Sequence, residues 1–163
     1  MRIINACLQL DTLFPQNRFS MHVWTTYMDR VIPGSSGLFL ADIRDYDFER
    51  QCLPVIEHAL LHSEKRAEAA ASFKSVTDGL EEKIRRTFHR GLTADIILYL
   101  GLCNAAGWVK KWNGTATILL GIEKIIELDW CSEKEMYGLI YHELGHVYQA
   151  QYGVLKRNCT DTA

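Results

Sequence analysis

The chain has 163 residues, 48% apolar and 23% charged, the balance of a globular domain with a sizeable core rather than of a disordered or fibrous chain. A formal net charge of -2 gives no electrostatic footprint for nucleic acid or an acidic membrane surface. No stretch nears the ~20 apolar residues of a membrane span, residues 1 to 10 are too short a run for a signal peptide, and Cys7, Cys52, Cys103, Cys131 and Cys159 form no Cys-x-x-Cys pair, so a reduced, cytoplasmic setting is expected.

Residues 1 to 47 mix short apolar runs with turn signals at Pro15-Gln16-Asn17 and Pro33-Gly34-Ser35-Ser36-Gly37. Residues 3 to 10 read equally as a strand or a short helix. From 48 to 63 the pattern is helical, with Val55, Ile56, Ala59 and Leu60 on one face and Pro54 near the first turn. The Glu, Lys, Arg and Ala residues from 63 to 71 predict a solvated helical run. Phe73, Val76, Leu80, Ile84 and Phe88, three and four apart, predict one further helix closed by Gly91. The character then changes. Residues 95 to 102 read as a buried strand, 104 to 108 as a loop, and Lys110, Lys111, Asn113 and Gly114 as a polar turn. Residues 115 to 122 form a second strand, and 123 to 128 link it to a last helix near 133 to 150. No repeat or low-complexity tract interrupts this order. A helical N-terminal half followed by a small sheet packed on the last helix predicts an α+β fold, one domain over residues 1 to 163.

That last helix carries His142-Glu143-Leu144-Gly145-His146. Spacing i, i+4 puts the imidazoles one turn apart on one face, where both reach a single ion, and Glu143 reaches a water beside it. Two neutral imidazoles suit zinc, and an open fourth position suits hydrolysis. Ser132 followed by Glu135 has the capping-box pattern, so the helix should begin near Glu133, and Gly153 supplies a left-handed stop. Gly145 is expected to let a strand or substrate pass close to the helix. The competing reading makes His142 and His146 two core histidines. A buried imidazole pair with a carboxylate between them is costly unless all are satisfied, and a metal satisfies them together.

Other groups are weaker. His58 and His62 are also four apart, but no carboxylate sits between them, and neighbouring Lys65 and Arg66 suit solvent. His89 reads as a helix-end contact. Asp129 or Glu135 could orient a ligand imidazole.

On the pentapeptide and its surroundings, residues 93 to 150 resemble the zincin superfamily of metallopeptidases, with a gluzincin-like pattern. The resemblance implies a zincin-like fold, His142 and His146 as ligands of Zn2+, and Glu143 as catalytic base and acid in peptide-bond hydrolysis. It implies a peptide or protein substrate paired with an edge strand at 115 to 122, and an oxyanion donor, often Tyr or His; Tyr99, Tyr141, Tyr148 and Tyr152 are the candidates. The metzincin extension needs Gly and His where this chain has Gln149 and Tyr152, which excludes that subclass. Gluzincin-like sites take a third ligand from a Glu on a later helix. No Glu follows Glu143, so the resemblance implies a chain cut short before that helix, with Cys159 and Asp161 as the local substitutes. Three alternatives stay open: a complete site within the chain, a third ligand from a second subunit, or a non-catalytic zincin-fold binding or regulatory module.

Overall fold

The computed structural model describes residues 1–153. They form an α+β fold in which a four-stranded mixed sheet is covered by helices. Residues 3 to 10 resolve into both predicted alternatives: a short strand β1 (Ile3–Asn5), a 3-10 turn, then helix α1 (Leu10–Leu13). Helices α2 (Met21–Val31) and α3 (Ser36–Asp42) follow, then α4 (Leu53–Leu61), whose first turn holds the predicted Pro54.

The solvated run lies inside α5 (Ser63–Thr77), but Arg66 is buried. Its guanidinium donates to the Ala59 carbonyl at 2.6 Å and to the Leu60 carbonyl, and pairs with Asp11. Arg66 thereby satisfies carbonyls at the C-terminal end of α4 that have no partner within that helix. The predicted helix from Phe73 to Phe88 is broken at Asp78-Gly79, where Gly79 adopts φ 62°, and resumes as α6 (Leu80–Phe88).

Strand β2 (Ala94–Tyr99) is buried along its whole length, as expected of a strand with neighbours on both sides and helices on both faces. Residues 107 to 112, expected as loop and turn, form strand β3 (Gly107–Trp112). It returns through the two-residue turn Asn113-Gly114, both with positive φ, into β4 (Thr115–Gly121). β1 and β4 flank β2 in parallel, and β3 pairs antiparallel with β4, giving the order β1-β2-β4-β3. The strand at 115 to 122 is therefore interior, and the edge belongs to β3. Helix α7 (Ile122–Glu127) replaces the expected linker, and α8 (Glu133–Tyr152) carries the pentapeptide.

Aromatic packing of Phe39 on Tyr99 and Trp108 seats α3 on one sheet face. α8 packs on β3, β4 and α5 at the other. No helix among the described residues is long and apolar enough to cross a membrane.

Glu123, in the first turn of α7, is fully buried. Its carboxylate accepts from the Gly101 N–H at 2.7 Å and the Cys103 N–H at 3.0 Å. Gly101 leaves room for it, since a Cβ there would run into the carboxylate; a Cβ on Gly121 would lie 2.6 Å from the Ala105 carbonyl. Burial pushes the Glu123 carboxyl up to about 7, against the pull of the N–H groups that it accepts from.

The folded chain therefore keeps a proton that the unfolded chain sheds between pH 4.5 and about 7. Stability from this group is complete below that window and falls across it by on the order of 3 kcal/mol. Urea unfolding at about pH 5 and about pH 7.5 should show this decline in the wild type and a smaller one in Glu123→Gln.

Candidate metal centre

α8 starts as its sequence predicts. The Ser132 carbonyl accepts the Met136 N–H at 2.9 Å, and the Ser132 hydroxyl bonds the Glu135 carboxylate. The Ser132 hydroxyl does not cap a backbone N–H, so only part of the capping box is realised. Gly153 is not left-handed: its φ is -66°. Glycine is needed there for a different reason, because a Cβ would run into the Gln149 carbonyl.

Met136, Ile140, Glu143, Leu144 and Val147 make the buried stripe of α8. His142 and His146 lie outside that stripe and are exposed, so they are not core histidines. Their Nε2 atoms stand 3.1 Å apart, with ring planes crossing at 85°. Two nitrogens on one tetrahedral zinc at ordinary bond lengths are separated by about 3.3 Å. The pair thus fits a shared ion with little movement. The same separation suits a hydrogen bond from one imidazole to the other.

Glu143 sits on the inner flank of α8 and is only 5% exposed. Burial pushes its carboxyl above the ordinary value, while the His142 and His146 imidazoles pull it back down. The start of β3 lies against it. A Cβ on Gly107 would come within 2.8 Å of Leu139 Cδ1 and 2.9 Å of Glu143 Oε1. The close approach expected at Gly145 therefore occurs at Gly107; a Cβ on Gly145 would meet nothing within 4 Å.

Glu143 and His142 open onto a cleft of ≈ 580 Å³, lined also by Ala106, Gly107, Leu128, Trp130, Glu135, Gly138 and Leu139. Apart from Glu135 and the pentapeptide, none of these was singled out as a site residue by the sequence. The small pair Ala106-Gly107 just before an alternating Trp108, Lys110, Trp112 pattern was the available signal.

The tyrosine candidates go elsewhere. Tyr99 is fully buried and accepts from Trp108 Nε1 at 3.1 Å. Tyr152 donates to the Gly91 carbonyl at 2.7 Å, Tyr141 stacks on Tyr137, and Tyr148 packs between Phe88 and Tyr152. Asp129 pairs with Lys65 at 2.9 Å and Glu135 with Ser132, so neither orients a ligand imidazole. His62 Nδ1 stands 2.8 Å from the His58 carbonyl, a helix-end contact, and His89 ends α6 in the left-handed region. Among the described residues, no three of His, Cys, Asp and Glu converge as a ligand set. Cys159 and Asp161 lie outside the described residues.

The two glycines of the site should respond oppositely to alanine. Gly145→Ala should gain about 1 kcal/mol from helix propensity, and Gly107→Ala should lose up to about 1 kcal/mol as the ends of the Leu139 and Glu143 side chains are displaced. Urea unfolding of both variants checks the contrast.

Compared with known proteins, the chain matches no family model, no curated protein and no solved structure.

Proposed function

We propose that this chain is a zincin-like, zinc-dependent metallopeptidase whose centre is built on α8. The observation that carries the reading is the convergence of His142 and His146 Nε2 to 3.1 Å, with the Glu143 carboxylate on the same helix facing the adjoining cleft. His142 and His146 would hold Zn2+, which supplies Lewis acidity and lowers the pKa of a water molecule. Glu143 takes a proton from the attacking water as its oxygen bonds to the carbonyl carbon of the peptide. As the C–N bond breaks, Glu143 returns the proton to the leaving nitrogen. A buried carboxyl held above its ordinary value suits a group that both accepts and returns a proton. β3 is the outermost strand beside the cleft, and its outward backbone groups suit pairing with an extended peptide.

A second reading rests on the two-ligand set: a zincin-fold module that binds or regulates without catalysis. Two protein ligands hold zinc weakly, so metal content separates the readings. On the peptidase reading a third ligand completes the set, and protein dialysed without metal should retain about one zinc per chain, lost in His146→Ala. Glu143→Gln should keep the zinc and lose ~10²–10⁴-fold of the hydrolysis of an unfolded protein such as casein. Retained activity in Glu143→Gln would sink the mechanism. A wild type that holds no zinc favours the non-catalytic module, and zinc retention that rises with protein concentration points to a ligand from a second subunit.

A further inference from the structure

Cys52 and Cys103 stand 51 positions apart in the chain and meet in the fold. The Cys103 thiol lies 3.6 Å from the Cys52 carbonyl, which it donates to, and within hydrogen-bonding reach of the Cys52 thiol. Both are free thiols. Cys52 directly precedes α4 and is buried, whereas Cys103 lies in the crossover from β2 to β3 and is half-buried. Cys103 holds φ 63°, in the left-handed region that a residue with a Cβ rarely enters. Its N–H is held by the Glu123 carboxylate at 3.0 Å, and the Leu102 N–H before it by Asn104 Oδ1. Strain of this kind persists only where the surroundings fix it, and here they fix the Cys103 sulfur against Cys52.

We propose that Cys52 and Cys103 are a redox modification site, closing to a reversible disulfide that clamps the β2–β3 crossover to the start of α4. The oxidant is a hydroperoxide, hydrogen peroxide in the simplest case. The Cys103 sulfur, the more accessible of the two, bonds to one peroxide oxygen as the O–O bond breaks, giving a sulfenic acid and one water. The Cys52 sulfur then bonds to the Cys103 sulfur, the S–O bond breaks, and a second water leaves. Two electrons pass from the sulfurs to the peroxide, and both thiol protons end in the water. Burial pushes both thiols above their ordinary value and the Glu123 carboxylate adds to the rise, while the bond from Cys103 draws Cys52 partly back. Little thiolate is therefore present at neutral pH, and the first step is slow. The pair stays reduced through brief exposure and closes under sustained exposure. The crossover ends on Ala106 and Gly107 in the cleft wall, so the clamp stiffens one side of the cleft whether or not the chain is a peptidase.

The full chain, reduced and freed of reductant, is treated with hydrogen peroxide, quenched with an alkylating agent in denaturant and measured by mass spectrometry. The monomer mass should fall by two hydrogen atoms, with two cysteines protected from alkylation. Trypsin leaves each cysteine in a different peptide, so the pair is read as a link between residues 51–65 and 91–110. Dithiothreitol should restore both thiols. Cys52→Ser and Cys103→Ser should each lose the link and Cys131→Ser keep it; if a serine variant does not fold, the wild-type peptide map decides. The oxidised chain should melt about 5–15 °C above the reduced one, since the link closes a long loop. Amide exchange over residues 101–106 should slow. Peptides that stay unlinked while Cys103 passes to sulfinic acid overturn the proposal, as does a link made chiefly to Cys7, Cys131 or Cys159. A link that forms equally fast in urea-unfolded chain overturns it too, because the fold would then play no part. An oxidised chain that melts no higher than the reduced one removes the clamp.

Discussion

The buried carboxylate of Glu123 is the constraint on which the cleft depends. β4 occupies the middle of the sheet, so the chain leaving β2 must cross the end of β4 to reach the outer strand β3. A crossing segment in the interior needs a partner for every peptide group. Trp24 Nε1 donates to the Leu100 carbonyl, and the Leu100 N–H donates to the Tyr27 hydroxyl. Glu123 then takes the N–H groups of Gly101 and Cys103, and Asn104 Oδ1 accepts from Leu102. Leaving a buried N–H unmade costs about 1–3 kcal/mol. The segment finishes with the Ala106 carbonyl accepting from the Gly121 N–H, which sets Gly107 against Glu143. The wall of the cleft is thus tied to a side chain two elements away.

α8 divides its chemistry between two environments. The imidazoles face outward, where a cation is reached without stripping water from a closed core. The carboxylate faces inward, where low polarity favours the protonated form. A single helix achieves this because Glu143 is one residue, about 100°, from His142. The helix pays a propensity cost at both of its interior glycines, yet neither is required by local backbone geometry.

What was legible in the sequence was what periodicity and capping encode. The start of α8 at Ser132, the strands β2 and β4, and the paired imidazoles all follow from local pattern. The edge strand did not. Lys110-Lys111 carries the polarity of a turn, while Trp108, Lys110 and Trp112 carry the alternation of a strand, and the Asn113-Gly114 turn was the deciding signal. Misplacing β3 moves the sheet edge one strand inward. Arg66 and Glu123 were illegible for another reason: each is a charged residue in a helical segment whose partners, the carbonyls of α4 and the N–H groups after β2, are fixed only by tertiary packing. The same holds for Gly107, whose need for a missing side chain comes from Leu139 and Glu143 more than thirty positions away.

The sheet also joins distant parts of the chain. Arg2 bonds Asp95 across 93 positions, whereas β3 and β4 meet through a two-residue turn. Loop closure grows costlier with length, and such distant pairings form late. Every residue lining the cleft lies between Ala106 and Glu143, in the locally connected segment. During synthesis the order is reversed: β1, Trp24 and Tyr27 leave the ribosome long before Ile96 and Leu100, the residues that pair with them. The N-terminal half therefore emerges with its apolar face unpartnered, and its core closes only when β2 has followed it out.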